Sequence, residues 1–349
     1  MITEEGRFNH QMLELARKYK EMTQAELREK TGISQPQLSR LEQGLVEGSS
    51  EDVEKLASVL GFPESFFFQT AAVYPVMTPF HRKRAGLGKR IQERAEALAN
   101  LKKIHLTKLL GMIEIDGSIP RLNPEDYDGD PRIAAQKIRG YFKLPRGPIP
   151  NVVEIFEDAG VFIFLEDFGT PQLEGFTLIG DSVQPLIFLN RAFPGDAERL
   201  TLAHELGHIV MHDVPTQTVE QEAWTFAAEF LMPANDIILD LRLAKQLDDF
   251  ANLKRKWKTS MAALIRRKKD LGIIDDNRYR YLMMKMSPYR VKEPVMIPQE
   301  LPTLFDELIT TYTEEYAYTK ENILELLCLD SELYAKLYKE NPKRLRLVK

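Results

Sequence analysis

The 349 residues are too many for one compact core, so two or three domains are expected. A net charge of −5 excludes a uniformly basic nucleic-acid coat and leaves room for a local basic patch. The one cysteine, Cys328, excludes an intrachain disulfide and reads as a small hydrophobe. No apolar run approaches the ~20 residues of a membrane span, and the first residues lack the basic start and apolar core of a signal peptide. A soluble cytoplasmic protein is expected, with no membrane contact.

Residues 8–68 read as short helices with punctuation between them. Met12, Leu13 and Ala16 line a first helix. Thr23 caps a second, with Glu26 as its capping-box partner and Gly32 as its stop. Ser34 caps a third, with Pro36 early, Leu38 and Leu41 on its inner face and Gly44 as its stop. Ser50 opens a fourth carrying Val53, Leu56, Ala57 and Leu60, and Phe62 to Phe68 supply aromatics to seal the bundle. Two short helices joined at Thr31-Gly32-Ile33, the second polar at its start, describe a helix-turn-helix. The run from Thr23-Gln24-Ala25-Glu26-Leu27 to Ser34-Gln35-Pro36-Gln37-Leu38-Ser39-Arg40-Leu41 resembles the lambda-repressor/Cro (XRE) type. That resemblance implies that Gln35, Gln37, Ser39 and Arg40 face the major groove, while Gln24 and Ser34 approach phosphates or flanking bases. The implied partner is a double-stranded DNA operator. Gln pairs bidentately with adenine, and Arg with guanine or phosphate.

Ala71 to Pro79 reads as a linker. His81 to Arg84, Lys89-Arg90 and Lys102-Lys103 then put a basic stripe on a segment whose Ile91, Ala95, Leu98, Leu101 and Ile104 keep helical spacing. The stripe is expected to be a solvated helix face, and His81 and His105 are expected at the surface. Two helices follow between Pro124 and Ala159, divided by the proline-rich Pro145 to Pro150. Strands are expected at 160–165, 175–179 and 185–190, giving a small sheet whose edge could accept an extended peptide.

Three of the six histidines fall in the nine residues from His204 to His212. On a helix His204 and His208 share a face, and Glu205 lies about 100° round from His204. This is the HExxH arrangement of zinc peptidases, two nitrogens for a metal and a carboxylate as general base. A third ligand is needed. On the next helix, ended by Pro233, Glu222 is favoured because it lies one turn before Phe226, with Glu220 as the fallback. Glu229 is expected to be exposed. His212 sits too far along a straight helix to join the same metal, and is assigned beside the ligands or as a helix-end cap.

The run Arg199 to His208, followed by Glu222-Ala223, Phe226-Ala227-Ala228 and Leu231-Met232-Pro233, resembles the ImmA/IrrE metallopeptidase family over about residues 124–295. Gly175-Phe176 and Ile187 to Asn190 fit it as well, while Trp224 stands where the family often has Asn. The resemblance implies His204, His208 and Glu222 as ligands of Zn2+, with Mn2+ an alternative, and Glu205 as the base for metal-activated water attack on a peptide bond. It implies a protein substrate, a helix-turn-helix repressor being typical.

The expected architecture is multidomain and mostly α. An all-α helix-turn-helix bundle (1–70) is followed by a linker and basic helical segment (71–123). Then come an α+β zincin-like metallopeptidase domain (124–295) and a helical C-terminal region (296–349) with no assigned role. The leading expectation is a DNA-binding regulator with a zinc endopeptidase. The alternative is a non-catalytic XRE-type regulator or antitoxin whose peptidase-like domain senses a ligand or partner. A homodimer is compatible with either.

Overall fold

A computed structural model of the chain describes residues 6–70, 73, 87–180, 183–212, 217–289 and 292–338. The architecture is multidomain and mostly helical, with one small sheet. The basic run at His81 to Arg84 and the basic residues after 338 lie outside the described residues.

The N-terminal bundle comprises α1 (His10–Tyr19), α2 (Gln24–Thr31), α3 (Gln35–Glu42) and α4 (Ser50–Leu60). Its punctuation follows the side chains. Thr23 and Glu26 form a reciprocal capping box on α2, Gly32 ends α2 at φ 71°, and the Ser34 hydroxyl accepts from Gln37 N at the start of α3. Ser49 and Asp52 cap α4 in the same reciprocal way. Each such cap contributes about 1 kcal/mol. Met12, Leu13, Ala16, Leu27, Leu38, Leu41 and Leu56 are buried at the centre, with Phe66 and Phe67 closing the bundle from a 3₁₀ turn at Glu64–Phe68.

The long helix α5 (Lys89–Leu109) corrects the expectation of a solvated basic stripe. Its first residues, Lys89 and Arg90, are exposed, and Arg90 pairs with Glu26 at 3.2 Å. Further along, Lys102, Lys103 and His105 are buried. The Lys102 ammonium lies 2.7 Å from Glu166, donates to Leu337 O at 2.8 Å and sits over the Phe164 and Tyr338 rings. The His105 ring, expected at the surface, meets the Tyr338 hydroxyl at 2.8 Å. Burial pushes its pKa down to about 3, helped by Lys108 and Lys102. Long side chains at helical spacing look alike whether they reach water or a buried partner, so the sequence alone could not separate the two.

The second core is built around the sheet. A 3₁₀ turn at Pro124–Tyr127, α6 (Pro131–Tyr141) and α7 (Val152–Asp158) lead into β1 (Phe162–Glu166), β2 (Gly175–Gly180) and β3 (Val183–Asn190). The order is β1-β3-β2, with β1 parallel and β2 antiparallel to β3. Strand alternation sorts the side chains. Phe162, Phe164, Phe176, Leu178, Leu186 and Phe188 join the core shared with α5 and the N-terminal bundle. Ile163, Leu165, Ile187 and Leu189 face the helices α8 (Gly195–Met211) and α9 (Val219–Leu231).

Helices α10 (Ala234–Leu243), α11 (Leu247–Trp257), α12 (Met261–Asp270) and α13 (Asp276–Lys285) follow. The apolar spacing across residues 250–271 is compatible with one helix, but the chain forms two, α11 and α12. It divides because Lys258 turns left-handed at φ 52° and Ser260 caps a new start by accepting from Ala263 N. The chain then returns along α8, and α14 (Leu304–Glu314), α15 (Lys320–Leu327) and α16 (Ser331–Leu337) close over α5 and the outer sheet face. On this return Glu300 accepts from Val152 N and Val153 N and pairs with buried Arg199, while Gln299 donates to Glu198 at 2.6 Å.

Burial raises the Glu198 pKa to about 8, against an ordinary value of 4.5. The fold therefore keeps a proton that the unfolded chain releases, and stability falls as pH rises between those two values. Glu198→Gln is expected to flatten that fall, by on the order of 3 kcal/mol between about pH 5 and pH 8, read by denaturant titration at each pH.

Candidate metal centre and nucleic-acid interface

Helices α8 and α9 pack at backbone distance because Gly207 carries no side chain. A Cβ there would lie 3.2 Å from Ala223 Cα and equally close to the Phe226 ring. The close approach leaves the strip of α8 bearing His204 and His208 beside the first turn of α9. The two imidazoles present their Nε2 atoms 3.0 Å apart, with ring planes at 86°. Glu220 completes the cluster, its carboxylate oxygens 3.5 Å from His204 Nε2 and 3.7 Å from His208 Nε2. One ligand atom from each of the three residues lies within 4.8 Å of the others.

Glu222, the favoured third ligand, lies away from the two Nε2 atoms, and Glu220, the fallback, lies beside them. Around α9, Glu220 lies about 60° to one side of Ala223 and Glu222 about 100° to the other. Both therefore flank the buried stripe, and which flank meets His204 depends on how the helices cross. Glu222 instead meets His212 Nε2 at 3.0 Å. His212 ends α8 with extended backbone, which lets its Nδ1 come within 3.0 Å of His208 Nδ1. The chain His208–His212–Glu222 thus supports the nitrogen of His208 that faces away from the cluster. Burial pushes the His208 pKa down to about 3, opposed by Glu205, and lowers that of His212 against the pull of Glu222. A neutral imidazole is the form that ligates a metal.

Glu205 is buried on the sheet side of α8 and accepts from the Thr177 hydroxyl at 2.6 Å. Thr177 is the polar member of the β2 face that looks at α8. On the opposite wall the Trp224 ring lies 4.1 Å from the His204 ring.

In the N-terminal bundle Gln35, Gln37 and Arg40 are exposed on α3, as is its cap Ser34, with Ser39 and Gln24 half-buried. Several are held in place. Arg17 pairs with Glu42, which accepts from Gln24 at 2.7 Å, and Gln24 in turn accepts from Gln35 at 2.8 Å. Gln37 donates to Asp52, the capping-box partner of Ser49 on α4. A polar row is thus oriented on the exposed side of the second helix of a helix-turn-helix.

Residues 156–269 match the family model for the IrrE N-terminal-like domain, Peptidase M78, and residues 11–65 match one for a helix-turn-helix domain. The chain carries an IrrE-like M78 peptidase domain. It lies behind a helix-turn-helix DNA-binding domain. None of the curated proteins compared with the chain matches it.

The donor set of this peptidase domain fits the metal that its family implies. Zinc–nitrogen and zinc–oxygen bonds of about 2.1 Å in tetrahedral array put neighbouring donors about 3.4 Å apart. The observed separations of 3.0, 3.5 and 3.7 Å bracket that edge. Two buried imidazoles and one carboxylate are also the donor types of open catalytic zinc sites.

Thr177 and Trp224 were not singled out as site residues from sequence. The signal for Thr177 was available as a lone polar residue between Gly175 and Ile179 on a strand face that otherwise meets a core. Glu229, expected to be exposed, is 1% exposed and pairs with Arg267. Among the described residues, no helix is long and apolar enough to cross a membrane.

Proposed function

We propose that the chain is a cytoplasmic, DNA-tethered, zinc-dependent endopeptidase that cleaves a regulatory protein, with a helix-turn-helix repressor as the substrate class. The observation that carries this reading is the convergence of His204, His208 and Glu220 beside a Glu205 anchored by Thr177. Zinc held by those three residues would supply Lewis acidity toward a carbonyl and toward water. Glu205 takes the proton of the attacking water and delivers it to the leaving amide nitrogen, and Thr177 fixes the carboxylate for both transfers. Strand β2 lies at the edge of the sheet next to Glu205, so its outer backbone groups can pair with an extended substrate segment.

The test is Glu205→Gln in the full-length protein. Zinc content should be unchanged, while hydrolysis of the regulator, found by comparing the cell proteome with and without the variant, should fall by about 10²–10⁴-fold. Purified protein that holds no stoichiometric metal, or a proteome with no cleaved regulator that distinguishes the parent from the variant, would replace this reading with a non-catalytic regulator.

For DNA, Gln35→Ala with Arg40→Ala removes two exposed groups of α3. Each bidentate base contact is worth about 1–3 kcal/mol of discrimination, so selectivity for the operator should drop by at least about tenfold. Gel-shift competition against unrelated duplex at fixed salt checks this, and retained selectivity would remove α3 as the reader.

A further inference from the structure

Beyond His204, the strip of α8 that carries the metal donors continues to Leu200, one turn nearer the helix start. Here a cavity of about 540 Å³ opens between α8, α9 and α12. Its apolar lining is Leu200, Trp224, Ala228, Met232, Ala263 and Leu271. The arginines at the cavity are already engaged, Arg132 with Asp130, Arg266 with Asp270 and Arg267 with Glu229. Six of the twelve lining residues are apolar and the arginines each face a carboxylate, so the cavity offers a bulky apolar side chain a continuous apolar wall.

Two observations tie the cavity to the metal centre. Trp224 is shared, since its ring lies against His204 and also lines the cavity. Leu200 and His204 are four residues apart, about 6 Å along the helix axis. An extended peptide advances about 3.3 Å per residue, so a substrate with its scissile bond at the metal would bring a side chain one or two residues away to the cavity mouth. The volume is within the range of about 300–1,000 Å³ typical of ligand pockets and ample for a Leu or Phe side chain.

We propose that this cavity is the specificity site of the peptidase domain and receives a bulky apolar side chain of the substrate, one or two residues from the cleaved bond. The assignment rests on the endopeptidase reading for which bond is meant, and Trp224 and Leu200 are positioning walls, not catalytic residues.

The chain itself contains a reporter. It has two tryptophans, and Trp257 is 1% exposed against 39% for Trp224. Zinc-loaded full-length protein carrying Glu205→Gln is titrated with capped peptides Ac-Ala-Xaa-Ala-amide, Xaa being Leu, Phe, Ala or Asp, while tryptophan emission is followed. Leu and Phe peptides should saturate at concentrations at least about tenfold lower than Ala and Asp peptides. Ala263→Phe, which fills the cavity, should erase the difference, and Trp224→Phe should remove the signal. Thermal melting checks that Ala263→Phe is folded, and the smaller filler Ala228→Val provides an independent arm. Equal binding of all four peptides, or undiminished Phe preference in both folded fillers, overturns the proposal. Because binding and not hydrolysis is read, a protein that shows the preference yet cleaves nothing would fail only the endopeptidase reading.

Discussion

Glu220→Ala is expected to abolish stoichiometric zinc retention, whereas Glu222→Ala should leave the metal bound with affinity weakened by about 10–100-fold, the usual cost of losing a partner behind a ligand. The asymmetry follows from the two different histidines that these carboxylates meet. Glu220 stands within 3.7 Å of both Nε2 donors, so its loss leaves two imidazoles and no carboxylate to neutralise the ion. Glu222 meets His212, which in turn meets His208, so its effect on a bound metal would pass through His208. His212→Ala should therefore resemble Glu222→Ala, and combining the two should cost little more than either alone, since they form one chain. Metal content after dialysis and competition with a chromophoric chelator measure all four proteins. Zinc lost from Glu222→Ala and kept by Glu220→Ala would return the third-ligand role to Glu222.

The placement of those two carboxylates shows where sequence reasoning stopped. Local rules carried far: the caps at Thr23 and Ser34, the left-handed Gly32, the three strands and the HExxH face all follow from spacing and residue type within one element. The choice between Glu220 and Glu222 is a relation between elements. Periodicity puts both beside the buried stripe of α9 and is silent about which side α8 approaches. Gly207 against Ala223 sets how closely the two helices approach, a contact between elements that periodicity within one helix does not show. The same limit applies to Lys102, His105 and Glu229, read as surface groups because their types usually are. Their partners, Glu166, Tyr338 and Arg267, come from distant parts of the chain, so no local pattern could have announced them.

Arg267→Met is expected to destabilise the peptidase domain by about 3–5 kcal/mol, the cost of stranding a buried charge whose partner has been removed. Arg267 is 3% exposed. It pairs with Glu229 and donates from Nε to Met232 O at 3.0 Å. Glu229 also accepts from Gln136 at 2.9 Å, so this one carboxylate joins α6, α9 and α12. Adding Glu229→Gln removes the stranded charge while keeping an acceptor for Gln136, and the double variant should recover more than half of the loss. Equilibrium denaturation of the parent, both single variants and the double variant gives the coupling directly. Additive losses would mean that the Arg267–Glu229 pair contributes no coupling between α12 and α9. The pair also bears on substrate selection, because α12 supplies Ala263 and Leu271 to the cavity beside His204. A loosened α12 should blur the preference for bulky apolar side chains before it affects zinc, since the three candidate metal donors lie on α8 and the first turn of α9.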